Sequence, residues 1–311
     1  MTKHTKGVLL AISGAAFWGT SGVAVQDLFA TTTVNILWLV GLRLLCAGLL
    51  LVSYSLWTTP AATYRLFADW RLVGWLLGFA VLGVGSSQLA YFSAVRYSNA
   101  PTATVIQYLA PVFIVGYLAI RHRTLPRRID VLSILVALLG TLILVTHGHL
   151  DQLALSPLAC LWGLLAAVTE AINTVMPRRL FQRCGTITVI GWSMLLCGLG
   201  FLPVYAWIPA PALTAGDWAL IAYIIIGGTL LAYTLYLASV TYISASTTGM
   251  LEAFEPLVAT TLAILLLHTP FGPLDLTGGV LIILATFLQM LPQSPLVLRK
   301  RTPQKPPTVK P

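Results

Sequence analysis

Long apolar stretches dominate this sequence. A membrane-spanning helix needs about 20 mostly apolar residues to cross the hydrocarbon core of a bilayer. Ten such stretches follow one another, joined by short links: 7–27, 34–56, 72–94, 101–120, 130–147, 157–177, 187–208, 218–240, 246–267 and 275–292. The sequence therefore predicts an all-α membrane protein with ten transmembrane helices.

Composition and charge point to the same class. Hydrophobic residues make up 58% of the chain and charged residues only 9%, too few to cover the surface of a soluble domain. The net charge of +9 is not a nucleic-acid signal, because the charges form short clusters between the apolar stretches. The expected partners are the lipid bilayer and a small-molecule substrate, with no nucleic acid. The sequence is compatible with a monomer and leaves the oligomeric state open.

The distribution of lysine and arginine predicts the orientation. With ten spans, every Lys and Arg except Arg43 and Arg96 falls on the side of the two termini. Since basic loops mark the cytoplasmic side, both termini are predicted to be cytoplasmic, in the cell (inner) membrane. The first stretch follows Lys3 and Lys6 as in a signal peptide, but it continues to about Gln26 without a small-residue cleavage site. It is therefore interpreted as an uncleaved span.

The two halves of the sequence are related by an offset of 145 residues. This offset aligns 83–141 with 228–286 without a gap, and Tyr, Pro and Asp agree in one register. The identities include Tyr91/Tyr236, Tyr97/Tyr242, Pro111/Pro256 and Asp130/Asp275. Equivalent positions are five spans apart, so the halves would cross the bilayer in opposite directions, an arrangement typical of secondary transporters.

This repeat predicts the domain organisation. Residues 1–148 form the first five-helix repeat and 149–296 the second. The remaining residues, 297–311, are basic and rich in proline, which predicts a disordered cytoplasmic tail.

Several short segments carry a family resemblance. They are Arg43 together with 15–22, 97–103, 109–113, 242–249 and 251–257. In order, spacing and duplication they resemble the EamA group of the drug/metabolite transporter superfamily, from Gly7 to Leu291. The resemblance implies ten spans, a central cavity between the halves, and export or exchange of small metabolites such as amino acids or amines. The chain departs from the family after the fourth span of each half, where 121–124 and 268–270 lack the usual Gly-Glu-type turn.

Charged residues inside the spans are the strongest candidates for function, because each costs at least about 2.5–3.5 kcal/mol near the bilayer centre. Glu252 and Glu255 share a face of the ninth span. Pro256 removes the backbone bond to the Glu252 carbonyl, and its repeat equivalent Pro111 does the same for Gln107. The pattern predicts two proline hinges with polar side chains. They form either a substrate or proton site, or a structural hinge with Glu255 paired internally.

Three further polar positions have open roles. Arg43 is either a structural ion pair or helix cap, or the counter-ion of an anionic substrate group. Glu170 shares a face of the sixth span with Asn173 and is a candidate cavity residue, although it could also extend toward the cytoplasmic end. Gln88 lies one turn from Tyr91 and is compatible with substrate contact or with a bond that locks the bundle.

Aromatic residues complete the candidate site. The resemblance implies that they line the cavity, where they would suit amino acids or amines through stacking or cation–π contact. Packing is the alternative role for each of them. The residues taken into the candidate site are Trp18, Tyr91, Tyr108, Tyr233 and Tyr236, and Trp162 lies in a span of the same kind.

An intramembrane enzyme or a channel-like pore is the alternative function. Every histidine lies in or beside a loop, all six Asp lie at span ends or in loops, and no P-loop occurs. The sequence therefore predicts no catalytic residues, no metal site and no cofactor. A pore is harder to exclude from the sequence. A carrier differs from a pore in showing saturation and counterflow, and both must be measured by experiment.

Overall fold

The computed structural model describes residues 2–123, 128–146, 155–243, 247–248 and 251–290. Every regular element in this part of the chain is a helix. The predicted domain boundary at residue 148 and the predicted tail, 297–311, lie outside the described residues.

Fourteen helices are named here in chain order. They are α1 (Lys3–Thr31), α2 (Ile36–Thr58), α3 (Pro60–Ala68), α4 (Trp70–Tyr97), α5 (Ala100–Gln107), α6 (Ala110–His122), α7 (Arg128–Thr146), α8 (Pro157–Val175), α9 (Arg178–Cys184), α10 (Thr186–Gly200), α11 (Leu202–Trp207), α12 (Ala215–Ser239), α13 (Phe254–Leu267) and α14 (Pro273–Met290).

The helices bear out a multi-pass membrane protein. Within the described residues, 7 helical stretches are long and apolar enough to cross a bilayer, with α5–α6 and α10–α11 each counted as one stretch. Three shorter apolar helices, Val131–Leu144, Phe254–Leu267 and Pro273–Ala285, lie where the other three spans are predicted. The all-helical membrane architecture is thus confirmed, and the count of ten spans stays a prediction.

Helices of one half pack mainly on helices of the other. The first helix of the chain, α1, packs on α12 and α13, and α8 packs in the same way on α4, α5 and α6. Two further pairs, α2 with α10 and α7 with α14, join equivalent helices of the two halves. The centre of the molecule is therefore an interface between the halves.

Small residues allow the closest of these approaches. A Cβ atom added at Gly48 of α2 would lie 2.3 Å from the Leu195 backbone nitrogen of α10, and one at Gly198 would lie 2.5 Å from that of Leu45. Within a membrane, where lipid is as apolar as a leucine side chain, such close backbone contact contributes much of the association between helices. Larger side chains at these two positions would force α2 and α10 apart.

The offset of 145 residues reappears in the backbone. α4 and α12 start at Trp70 and Ala215, and each contains a π-helical segment, Phe79–Gly85 and Ile226–Leu231, that overlap under this offset. Arg123 and His268, also 145 apart, both adopt the left-handed conformation, with φ of 50° and 49°. Both residues lie in the turns where the resemblance implies a Gly-Glu-type sequence, and glycine is the residue that tolerates this conformation best.

Both halves contain a break in a helix beside a proline. The first break separates α5 from α6 at residues 108–109, and Pro111 lies at the second position of α6. The second is a turn at 252–253 directly before α13, in which Pro256 is the third residue. Proline has no N–H to continue the helix and clashes with the preceding turn. The predicted kinks are therefore interruptions, and the predicted fourth span is divided into α5 and α6.

Candidate functional site

A central cavity of about 470 Å³ lies between the halves, next to both helix breaks. Its volume is in the range of small-molecule binding sites. All twelve residues predicted for the site line this cavity: Trp18, Arg43, Gln88, Tyr91, Gln107, Tyr108, Glu170, Asn173, Tyr233, Tyr236, Glu252 and Glu255. Of the two predicted hinge prolines, Pro111 also lines it, whereas Pro256 is buried and does not. Trp162 packs against the hydrophobic core instead.

Arg43 is the cation of the cavity and is only 7% exposed. Its guanidinium donates three hydrogen bonds: from Nε to Thr229 Oγ1 at 3.0 Å, from Nη1 to Gln88 Oε1 at 2.8 Å and from Nη2 to the Gly228 carbonyl at 3.1 Å. It also stacks over the Phe92 ring, 5.1 Å from the ring centroid. Arg43 therefore ties α2 to α4 and to the π-helical segment of α12.

These hydrogen bonds bear on the alternative roles predicted for Gln88 and for Arg43. Gln88 accepts a hydrogen bond from Arg43, which is a bond that locks the bundle. Among the described residues, no carboxylate forms an ion pair with Arg43, whose bonds go to neutral groups. A permanent Arg43–Glu255 pair is thus not part of this structure.

Glu170 is the best satisfied of the three carboxylates. It accepts hydrogen bonds from Ser87 Oγ at 2.9 Å, from Asn173 Nδ2 at 3.3 Å and from Gln107 Nε2 at 3.4 Å. Asn173 lies one turn further along α8, on the face that its spacing from Glu170 predicts. Since buried charges are stable when several donors surround them, Glu170 holds α8 to α4 and to the first helix break.

Glu252 and Glu255 flank the second break and differ in their contacts. The hydroxyl of Tyr236 donates to Glu252 Oε2 at 3.0 Å, and the hydroxyl of Tyr108 donates to the Glu252 backbone carbonyl at 2.7 Å. Glu255 lines the cavity, and no described residue donates a hydrogen bond to its carboxylate. The two adjacent carboxylates therefore keep acceptor capacity for a ligand.

An aromatic wall stands beside these carboxylates. The Trp18 ring contacts Tyr233 edge-on at a centroid distance of 5.1 Å and Tyr236 at 5.0 Å. Tyr91 also lines the cavity, and its hydroxyl lies 3.0 Å from Thr104 Oγ1. Negative carboxylates next to the faces of aromatic rings form an environment that favours a cation.

The charged residues Arg43 and Glu170 contact four residues that sequence reasoning did not identify. Ser87 could have been found from its four-residue spacing to Tyr91 on one helix face, and Phe92 offers no polar signal. Gly228 and Thr229 lie in the π-helical segment, where an ordinary helical period no longer predicts which face a residue occupies. Their contact with Arg43 had no signal in the sequence.

The cavity extends toward one end of the molecule. Its lining runs from Gly22 and Tyr91 to Phe181 of α9 and Thr186 at the start of α10. This is the end at which Arg178, Arg179 and Arg183 predict the cytoplasm. Among the described residues, no group of three or more His, Cys, Asp or Glu could hold a metal ion.

Known proteins match the chain along almost its full length. The model of the EamA-like transporter family matches residues 5–146 and 157–291. The uncharacterized inner membrane transporter YicL of Salmonella typhimurium is 36% identical over 289 residues, which cover 93% of this chain and 96% of that protein. A WAT1-related chloroplastic protein of Arabidopsis thaliana is 25% identical over 91% of this chain and 69% of its own length.

Another relative and a solved structure are also similar to the chain. Protein PecM of Dickeya dadantii is 26% identical over 70% of this chain and 74% of its own length. One crystal structure superposes with a TM-score of 0.63 and 18% identity, covering 92% of this chain and 96% of the other. At that identity the superposition shows a shared fold.

Proposed function

Because the chain belongs to the EamA-like transporter family, we propose that it is a secondary transporter of small metabolites, amino acids, amines or related compounds, which it exports or exchanges by alternating access. The observation that carries the proposal is the central cavity, in which Glu255 lies among eleven other polar and aromatic candidates and no described residue donates a hydrogen bond to its carboxylate. Relatives named as transporters span nearly the whole chain.

The chemistry of the cavity favours a substrate that carries a positive charge. An ionised carboxylate inside a membrane is costly unless a cation or a set of donors accompanies it. Glu255 lacks such donors among the described residues and lies near the aromatic wall of Trp18 and Tyr236. An ammonium group or a proton bound at Glu255 would relieve this cost. Alternate binding of the two would couple substrate movement to a proton.

We further propose that residues 1–148 and 149–296 are inverted repeats that exchange conformations between an inward-open and an outward-open state. The paired π-helical segments and the paired left-handed residues, Arg123 and His268, support this view, since they recur in the register of the sequence repeat. The name of the YicL relative supports an inner-membrane location.

Orientation is tested by reporter fusions. A cytoplasmic reporter fused after Pro311 should be active, and one inserted in the loop 147–156 should be silent. An exported C-terminus, or an active cytoplasmic reporter in that loop, would contradict the ten-span orientation.

Transport is tested with purified protein. A thermal-shift screen of metabolites identifies a ligand, and that ligand is then tested for uptake in liposomes. Saturable uptake with counterflow is expected for a carrier. Flux without saturation would instead indicate a pore, and chemical conversion of the ligand would indicate an enzyme. Empty liposomes and the Glu255→Gln variant serve as controls.

A further inference from the structure

We propose that Gln26 is the residue that closes the cavity at the end opposite α9, and that this outer end opens only when its two hydrogen bonds break. The inference rests on the proposed alternating-access function. It concerns the end of α1 that lies beyond the cavity, which the site described above does not include.

Gln26 joins three helix ends through one side chain. Its Oε1 accepts a hydrogen bond from the Ala100 backbone N–H at 2.8 Å, and its Nε2 donates to Thr269 Oγ1 at 2.8 Å. Ala100 is the first residue of α5, and its N–H is one of the donors that every helix start leaves without a partner in the helix. Thr269 follows α13 and is only 8% exposed. The side chain thus links α1 and α5 of the first half to the second half.

A second contact holds the same end of α1. Arg96 of α4 donates a hydrogen bond to the Phe29 carbonyl, and its guanidinium lies 5.4 Å from the centroid of the Phe29 ring. A cation is favourable at the carbonyl end of a helix. This contact gives a physical reason for the position of Arg96, the one loop arginine that the sequence places on the side opposite the two termini.

The position of Gln26 relative to the cavity makes it a gate. On α1 the cavity lining ends at Gly22, one turn before Gln26. In the other direction the lining reaches Phe181 and Thr186. A solute in the cavity therefore meets the layer formed by Gln26, Ala100 and Thr269 before it can leave at that end.

A cysteine at Ser21 reports on this layer directly. Ser21 lines the cavity and is 3% exposed, so a cysteine there should be labelled slowly, and the readout is the ratio of the labelling rates from the two faces. A membrane-impermeant thiol reagent is added separately to each face of membrane vesicles, with the four native cysteines of the parent chain as the blank. Ser21→Cys should react faster from the face of α9 than from the other face.

Loss of the Gln26 hydrogen bonds should change the labelling rate from the outer face only. In Ser21→Cys, the additional change Gln26→Ala should accelerate labelling from the outer face about tenfold, because two hydrogen bonds of the closed state are lost. Gln26→Glu should restore slow labelling, since a carboxylate accepts from both the Ala100 N–H and the Thr269 hydroxyl. This rescue would not be expected if the side chain acted only by general packing.

Matched variants keep the test decisive. Thr31→Ala lies on the same end of α1 but removes a bond only within its own helix, to the Asp27 carbonyl at 2.9 Å, so it should leave labelling unchanged. Thr269→Val removes the same gate bond from its other partner, and it carries the test if Gln26→Ala does not fold. Equal outer labelling in Gln26→Ala, Thr269→Val and Thr31→Ala would overturn the proposal. Labelling needs no substrate, so a failed gate is distinguishable from a failure of the transport proposal, which counterflow tests.

Discussion

The two helix breaks have the same backbone plan and different chemistry. The first, between α5 and α6, presents the amide of Gln107 and the hydroxyl of Tyr108, which both donate hydrogen bonds. The second, before α13, presents the carboxylates of Glu252 and Glu255, which can only accept hydrogen bonds when ionised, and of the two Glu252 accepts one from Tyr236. Tyr108 connects the two breaks directly, because its hydroxyl donates to the Glu252 carbonyl.

This difference shows that two helix breaks with similar backbones can carry different side chains, so that the charges of the cavity are distributed asymmetrically. The three carboxylates of the cavity, Glu170, Glu252 and Glu255, all lie in the second half of the chain, whereas its guanidinium, Arg43, lies in the first. In the proposed mechanism the similar backbones of the two halves exchange conformations, whereas the carboxylates give a proposed preference for a cation on one wall only. Substitutions at the two breaks should therefore have unequal effects.

The largest expected effect is on transport in Glu255→Gln. Glutamine keeps the shape of the side chain and cannot bind a proton or pair with an ammonium group. Coupled uptake in liposomes should be lost, and the remaining flux should no longer depend on pH. The melting temperature should stay close to that of the parent protein, because Arg43 does not depend on Glu255 for its hydrogen bonds.

Glu170→Gln is the matched control in the same cavity. Glu170 accepts from Ser87, Gln107 and Asn173, so an amide that places two donors there should lower the melting temperature. A folded Glu255→Gln protein with normal, pH-dependent transport would rule out the proposed role. It would move the search to Glu252 and Glu170.

The next effect is on stability, in Arg43→Met. Methionine fills similar space but leaves the Gly228 carbonyl and the Gln88 side chain without their donor. Losing bonds to a buried charged group should cost about 2–3 kcal/mol and lower the melting temperature clearly. A Gln88→Met partner in a double-mutant cycle measures the coupling between the two side chains. Unchanged stability with weakened binding of an anionic ligand would instead support a counter-ion role for Arg43.

Much of the cavity lining was predictable, because a charged residue inside a membrane is energetically costly. A charge inside an apolar stretch is conspicuous, so Arg43, Glu170, Glu252 and Glu255 could be identified from position alone. The resemblance supplied the spans in which aromatic residues face the cavity, and it placed Tyr233 and Tyr236 there. Trp162 has the alternative role, packing, because it lies against the hydrophobic core.

The partners of these residues were not predictable, since they depend on local departures from an ideal helix. Arg43 binds Thr229 because a π-helical segment changes the face on which that side chain lies. The prolines indicated a bend, but a complete interruption at residues 108–109 follows from the tertiary packing around it. Arg123 and His268 adopt the left-handed conformation, which is most common for glycine. The identity of these two side chains therefore predicts a different backbone conformation.

A moderate effect is expected for Pro111→Ala and Pro256→Ala. At residue 256, an alanine N–H could compete for the Glu252 carbonyl, which now accepts from Tyr108 and from the Glu255 N–H at 2.8 Å. One restored backbone bond is worth about 1 kcal/mol, so transport should slow about fivefold while folding is kept. Initial uptake rates and melting temperatures of both variants are the measurements.

The comparison of the breaks becomes sharper if the two proline variants differ. Pro256→Ala disturbs the carbonyl that joins the breaks, so we expect it to slow transport more than Pro111→Ala. Unchanged rates in both variants would remove the hinge proposal altogether.

The smallest effect should come from Tyr108→Phe, which deletes one hydroxyl and keeps the ring. This removes the 2.7 Å bond between the first break and the Glu252 carbonyl. Tyr205→Phe is the control, because it removes a 3.2 Å bond to the Trp38 carbonyl outside the cavity lining. Each change should lower stability by about 1 kcal/mol, since each deletes one neutral hydrogen bond. If the breaks move against each other during transport, Tyr108→Phe should also alter the uptake rate, by about twofold, whereas Tyr205→Phe should not. Equal rates in the two variants would mean that the contact between the breaks contributes to packing alone.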